Sequence, residues 1–176
     1  MLKCSYKEVP KVFKIGEYVV CGSNGVCVIK DITTLHINGV DKNRKYYILK
    51  PVYAETSTVY VPVDTLQTKM RKVLSREEAA LLLESIPQIQ TLTIKDEKTV
   101  EAQYKECMQS NNCNELVRLL KTLHFRKKGR LEKGHKVTAV DSRYYRMAED
   151  NLCGELAIVL ELSRSEIEDR IASKME

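Results

Sequence analysis

Between Phe13 and Pro62 apolar side chains fall mostly on every second position: Val19, Val26, Val28 and Ile32, then Tyr46 and Ile48, then Val59 and Val61. Successive side chains of an extended chain point to opposite faces, so this alternation puts one face on a core and the other in water. A helix would need apolar residues recurring about every 3.6 positions instead. Turn formers punctuate the stretch at Gly16, at Gly22-Ser23-Asn24-Gly25 and at Asn38-Gly39. Asn38-Gly39, set between Ile32–Ile37 and Tyr46–Leu49, marks a hairpin, and residues 40–45 make its loop longer than the tightest turns. The stretch predicts four or five short antiparallel strands, bent enough to close on themselves.

The pattern changes after Pro62. Ser75-Arg76-Glu77-Glu78 has the Ser-x-x-Glu spacing of a capping box and leads into a helix over Ala79–Ile86, which Pro87 stops. A second helix is expected from about Asp96 to Gln109, broken by Ser110-Asn111-Asn112. Asn112 or Asn114 can cap a third over Glu115–Lys128, with Leu116, Leu119, Leu120 and Leu123 on one face. Gly129 and Gly134 are then expected to bracket a basic loop. Asp141 or Ser142 can cap a fourth helix carrying Tyr145, Ala148, Leu152, Leu156 and Val159, whose interior Gly154 suggests a closely approaching helix. A last helix starts after Ser163 or Ser165, with Ile167 and Ile171 inside. The fold class is therefore α+β: a small antiparallel barrel of Tudor or SH3 type over residues 1–72, then an all-α bundle of four to five helices over 73–176. Residues 1–12 are polar and expected to fray, apart from Tyr6 and Val9.

No apolar run approaches the roughly 18 residues that would span a bilayer, and the first residues, Met1–Glu8, lack the apolar centre of a secretory signal. A cytoplasmic protein without a membrane partner is expected. The six cysteines, Cys4, Cys21, Cys27, Cys107, Cys113 and Cys153, are expected as free thiols, four or five of them as small half-buried apolar residues. Neither close pair has zinc-ligand spacing, and His36, His124 and His135 stand apart from one another. There is no phosphate-cradling glycine loop, nucleophile elbow or metalloprotease motif, and Glu77-Glu78 are adjacent and so point apart on a helix. No enzyme activity, cofactor or small-molecule substrate follows from these residues.

The net charge of +5 is unevenly spread. Residues 118–136 carry Arg118, Lys121, Arg126, Lys127, Lys128, Arg130, Lys133 and Lys136 against Glu132 alone, whereas residues 149–176 are mainly acidic. Such a block suits a polyanion, although cations near a helix C-terminus also complement its dipole.

The ordered set Phe13-Lys14-Ile15-Gly16-Glu17-Tyr18-Val19-Val20, Gly25-Val26 with Ile32, Tyr46-Tyr47-Ile48-Leu49-Lys50 and Tyr60-Val61-Pro62-Val63 resembles the RNA-polymerase-interacting domain shared by CarD-like transcription regulators and the transcription-repair coupling factor. Tyr104-Lys105, Glu115–Leu123 and Gly154-Glu155-Leu156-Ala157 resemble helical segments of the CarD-like proteins. The resemblance implies a regulator without catalysis, whose barrel adds an edge strand to the RNA polymerase β subunit and whose helices contact promoter DNA at the melted bubble. It places polymerase contacts at Leu35, Ile37, Tyr47 and Tyr60, and DNA contacts at Val100, Lys105, Lys121, Arg126, Lys127, Lys128 and Arg130. The chain departs from the family in two ways. It has no tryptophan, so Val100 stands at the family's minor-groove wedge, and Leu35 and Tyr60 stand where other members use arginines.

The residues by themselves leave other readings open. Alternating aromatics such as Tyr46, Tyr47 and Tyr60 also serve as cross-strand packing. A near-neutral helical half without tryptophan suits a polymerase adaptor that binds only proteins. Exposed tyrosines could also stack on single-stranded RNA.

Overall fold

The computed structural model describes residues 13–54, 56–64 and 70–175. The expectations for residues 1–12, including Tyr6, Val9 and Cys4, lie outside them. Five strands pair antiparallel throughout: β1 (Tyr18–Cys21), β2 (Val26–Thr34), β3 (Lys45–Pro51), β4 (Val59–Pro62) and β5 (Met70–Lys72), in the order β4-β3-β2-β1-β5. No pairing of β4 with β5 closes a ring among the described residues. The β2–β3 register shifts between Ile29 and Asp31, and the additional residue, Lys30, bends β2.

Alternation is realised, but in β2 and β3 its phase differs from the sequence reading, and Val28, Tyr46 and Ile48 are only half-buried. Val19, Cys21, Cys27, Ile29, Tyr47 and Leu49 point inward with Phe13 and Met70 to form one core. The Phe13 N–H donates to the Tyr47 hydroxyl at 3.1 Å. Val20 and Val26 are buried as well, so at the start of the sheet neither face is left to water. The second face is covered by the helical half, which packs against β2.

Five helices follow: α1 (Arg76–Ser85), α2 (Val100–Gln109), α3 (Cys113–Glu132), α4 (Ala139–Leu160) and α5 (Arg164–Lys174). Ser75 and Glu78 close the expected capping box of α1, and Ser163 with Glu166 closes another at α5, each worth about 1 kcal/mol. Three boundaries differ from the sequence reading. Asp96 accepts from the Lys98 N–H at 2.9 Å in a local turn, which delays α2 to Val100. Helix α3 runs through Gly129 to Glu132 rather than ending before it; an interior glycine costs only about 1 kcal/mol, and tertiary packing outweighs that. Thr138 caps α4 by accepting from the Asp141 N–H at 3.0 Å, so Asp141 lies inside the helix and not at its cap.

The helices share a second core built around Tyr104, Leu119, Leu120, Leu123, Leu152, Leu156 and Ile167. Its tail is α5, held by an ion pair between Arg164 and Asp150. Among the described residues no helix is long and apolar enough to cross a membrane.

Candidate functional site

Two surfaces can engage other macromolecules, one on the β half and one on the helical half. The first is the outer rim of β4. The Val63 N–H donates to the Lys45 carbonyl at 2.9 Å, one step beyond the Tyr46–Pro62 pair. Antiparallel ladders alternate inward- and outward-bonding residues. Val59, Val61 and Val63 therefore bond to β3, while the Tyr60 N–H and the Tyr60 and Pro62 carbonyls face away. On that side β4 has no strand partner among the described residues. Tyr60 lies opposite Ile48, and Pro62 opposite Tyr46; all four are exposed or half-buried. Arg44 stacks 5.9 Å from the centre of the Tyr46 ring and pairs with Asp64 at 2.7 Å, giving the rim a polar end.

Of the residues expected to meet polymerase, Tyr60 and Ile37 are 46% and 49% exposed. Leu35 and Tyr47 are not accessible. Leu35, just after β2, is buried, and Tyr47 is a core residue whose hydroxyl accepts from the Phe13 N–H. The sequence reading sets Tyr46 and Ile48 in the inward series; β3 runs one residue out of that phase, so Tyr47 and Leu49 are inside and Tyr46 and Ile48 are only half-buried.

The second surface is the C-terminal end of α3. Lys127 and Lys128 are exposed there, as are Lys133, His135 and Lys136 just beyond, and Lys105 is exposed on α2. The other residues expected at DNA are buried or make contacts within the protein. Val100 is buried in the helical core, so it offers no wedge. Lys121 is buried, and its ammonium donates to the carbonyls of Ile86, Pro87 and Ile89 at 2.9, 2.9 and 3.0 Å. It thereby satisfies the orphan acceptors where α1 ends. Arg126 makes a bidentate pair with Glu97 at 2.8 and 2.9 Å and reaches Asp141 at 3.1 Å. Asp141 also accepts from the Tyr104 hydroxyl at 3.1 Å. The Arg126 guanidinium holds the Glu97 carboxyl below its ordinary value. Arg130 is half-buried and donates to the Lys136 carbonyl at 2.9 Å, folding residues 133–136 back beside the helix.

The result is a cleft of about 390 Å³ lined by Arg126, Arg130, Lys133 and His135, with Glu97 as its one acid. Two apolar side chains on this end were not expected from the sequence: Phe125 is 42% and Leu131 54% exposed. The signal was present, because both lie off the buried stripe of Leu116, Leu120 and Leu123. Among the described residues, no three His, Cys, Asp or Glu side chains converge as metal ligands would. Cys27, Cys113 and Cys153 are buried thiols pushed up to about 12, mainly by desolvation. They supply no nucleophile at neutral pH.

Compared with known proteins, residues 13–74 match the family model described as CarD-like/TRCF RID domain. No curated protein matches the chain.

Proposed function

We propose that this chain, whose residues 13–74 are a CarD-like/TRCF RID domain, is a regulator of transcription without catalysis that bridges RNA polymerase and promoter DNA. The RID domain is the RNA-polymerase-interacting module, so polymerase is the partner of the β half. On our reading the outer rim of β4 adds to a strand of the polymerase β subunit. Unpaired N–H and C=O groups supply affinity in such strand addition, and Tyr60 and Ile37 supply the side-chain contacts. Lys127, Lys128, Lys133 and Lys136 neutralise phosphates of promoter DNA upstream of the melted region, alongside Lys105. Phosphate neutralisation gives affinity with little sequence reading. A protein held at both places changes the lifetime of the open complex.

The observation that carries this reading is the outward-facing Tyr60 backbone on a strand with one neighbour. It also supplies the test. Proline at position 60 removes the outward N–H and leaves the β4–β3 bonds in place, since Tyr60 does not donate to β3. Prolines are tolerated on edge strands for that reason. Tyr60→Pro should unfold at the same urea midpoint as the parent and bind a β-lobe fragment at least tenfold more weakly in titration calorimetry. Unchanged affinity would remove strand addition as the docking mode.

A second reading is favoured by the burial of Val100 and Lys121 and the ion pairs of Arg126, which leave fewer cations for DNA than the sequence displays. In that reading the helices bind a protein, and the chain is an adaptor on polymerase.

A further inference from the structure

The two cores are joined along one face of α4 by contacts that leave little room for adjustment. Arg71, on β5, crosses to the helical half. Its guanidinium donates to both Glu155 oxygens at 2.7 Å, to the Asn111 carbonyl at 2.6 Å and to the Cys113 sulfur at 3.0 Å. Glu155 is 1% exposed and also accepts from the Leu74 N–H at 2.9 Å. One carboxylate therefore holds the last strand, the segment leading into α1, and α4 together. Burial alone would lower the arginine's proton affinity; its bonds to Glu155 more than reverse that.

The residue before Glu155, Gly154, meets Tyr53 of the segment after β3. The tyrosine hydroxyl donates to the Gly154 carbonyl at 3.2 Å, and a Cβ on Gly154 would lie 2.8 Å from the ring. The close approach that an interior glycine suggested is thus made by a tyrosine from the β half, not by a helix. One turn earlier, the Asn151 amide donates to the Gly22 carbonyl at 3.4 Å. Its side-chain oxygen would lie 3.0 Å from a Cβ on Gly25, whose φ of +65° already favours glycine. Positions 151, 154 and 155 lie on one helix face.

We propose that this face of α4, with Arg71, Tyr53 and the Gly22–Gly25 turn seated on it, is a positioning joint that fixes the orientation of the polymerase-binding rim relative to the DNA-binding end. The inference rests on the bridging function above. Asp141, beside the basic end, and Glu155, in the joint, are separated by fourteen residues of α4, about 20 Å along its axis. A small rotation at the joint therefore moves the cations by several ångströms relative to the rim. When one partner is already held, affinity for the second depends on whether the geometry lets both engage at once. A buried ion pair is a suitable device, because apolar residues of similar size can replace its stability but not its directionality.

The test replaces the pair in the full chain by an apolar one, Arg71→Met with Glu155→Leu, and separately introduces Gly154→Ala with and without Tyr53→Ala. Residual dipolar couplings report whether the two halves share one alignment tensor. The parent should fit a single tensor. The apolar pair, which leaves the Leu74 N–H and the Asn111 carbonyl without these partners, should have a lower thermal midpoint, keep each binary affinity within about twofold, and require two tensors. It should also lose at least tenfold in DNA affinity when bound to the β-lobe fragment. Gly154→Ala should move in the same direction, and Tyr53→Ala in that background should recover much of the loss by restoring the space. A parent needing two tensors, or an apolar pair retaining both the single tensor and the ternary affinity, would overturn the joint. Should the apolar pair fail to fold, the glycine and tyrosine variants decide by the same readouts. The alignment measurement judges the joint by itself and the binary affinities judge the bridging function by themselves, so either can fail alone.

Discussion

At the scale of single residues, the helical half spends several of its charges on its own architecture. Lys121 shows this most sharply, with one buried ammonium closing the end of α1 through three carbonyls. Lys121→Met keeps the aliphatic stem and leaves those acceptors without a donor, at a cost of about 2 kcal/mol. Urea unfolding should show that loss while DNA affinity is unchanged; a fall in DNA affinity without loss of stability would return Lys121 to the nucleic-acid surface. Neither this role nor that of Arg126 was legible beforehand. The partners of Lys121 lie 32 to 35 residues away, and those of Arg126 lie 15 and 29 residues away, so no local pattern joins them. A basic run in a sequence counts charges but does not say which are already used. The capping box at Ser75 was legible because its chemistry is complete within four residues; the matching Ser163–Glu166 box was equally local but was read only as one of two helix starts. The buried cysteines were legible because a thiol without a ligand-rich neighbourhood behaves as a small apolar group.

At the scale of elements, the last turns of α3 are the decisive piece. Arg126 and Arg130 hold the end in shape, which leaves Lys127 and Lys128 free to be changed without disturbing the fold. Lys127→Glu with Lys128→Glu should lower DNA affinity and reduce the slope of log K against log salt by about two, near one per lost phosphate contact. Binding to the β-lobe fragment should be unchanged. A slope that does not move would favour the protein-only adaptor. The α4–α5 contact makes a separate prediction. Burial and the nearby Glu168 raise the Glu149 carboxyl above its ordinary value of 4.5, against the opposing pull of Arg164. A carboxyl with a raised folded value binds its proton more tightly in the native state, so it penalises stability when ionised. That penalty is relieved as the pH falls from neutral towards 4.5. Glu149→Gln should therefore be more stable than the parent at pH 7, with the difference shrinking by pH 5, as read from urea midpoints. An equal difference at both pH values would contradict this. At this scale the sequence was informative about which elements exist and poor about where they end. Gly129 and Asp141 resembled boundaries locally, and packing carried both helices past them.

At the scale of the whole molecule, a β-sheet with an available rim and a helical bundle with a cationic tip are held by α4, whose two ends serve the two halves. The alternation from Phe13 to Pro62 and the helical periodicity after Ser75 were sufficient to anticipate that division. They could not anticipate the joint. Arg71 and Glu155 are 84 residues apart, and nothing in either neighbourhood marks the pairing. Gly154 was the single visible trace, and its neighbour could not be named. The net charge of +5 likewise understates the contrast between the basic end of α3 and the mainly acidic stretch over 149–176.

The most direct measurement is amide hydrogen exchange along β4 with and without the polymerase β-lobe fragment. In the free protein the Val61 amide, bonded to β3, should exchange slowly and the Tyr60 amide quickly. When the fragment saturates the protein, Tyr60 should become at least a hundredfold slower while Val61 changes little. Saturation with the Tyr60 amide still exchanging as in the free protein would mean that the rim is not where polymerase binds.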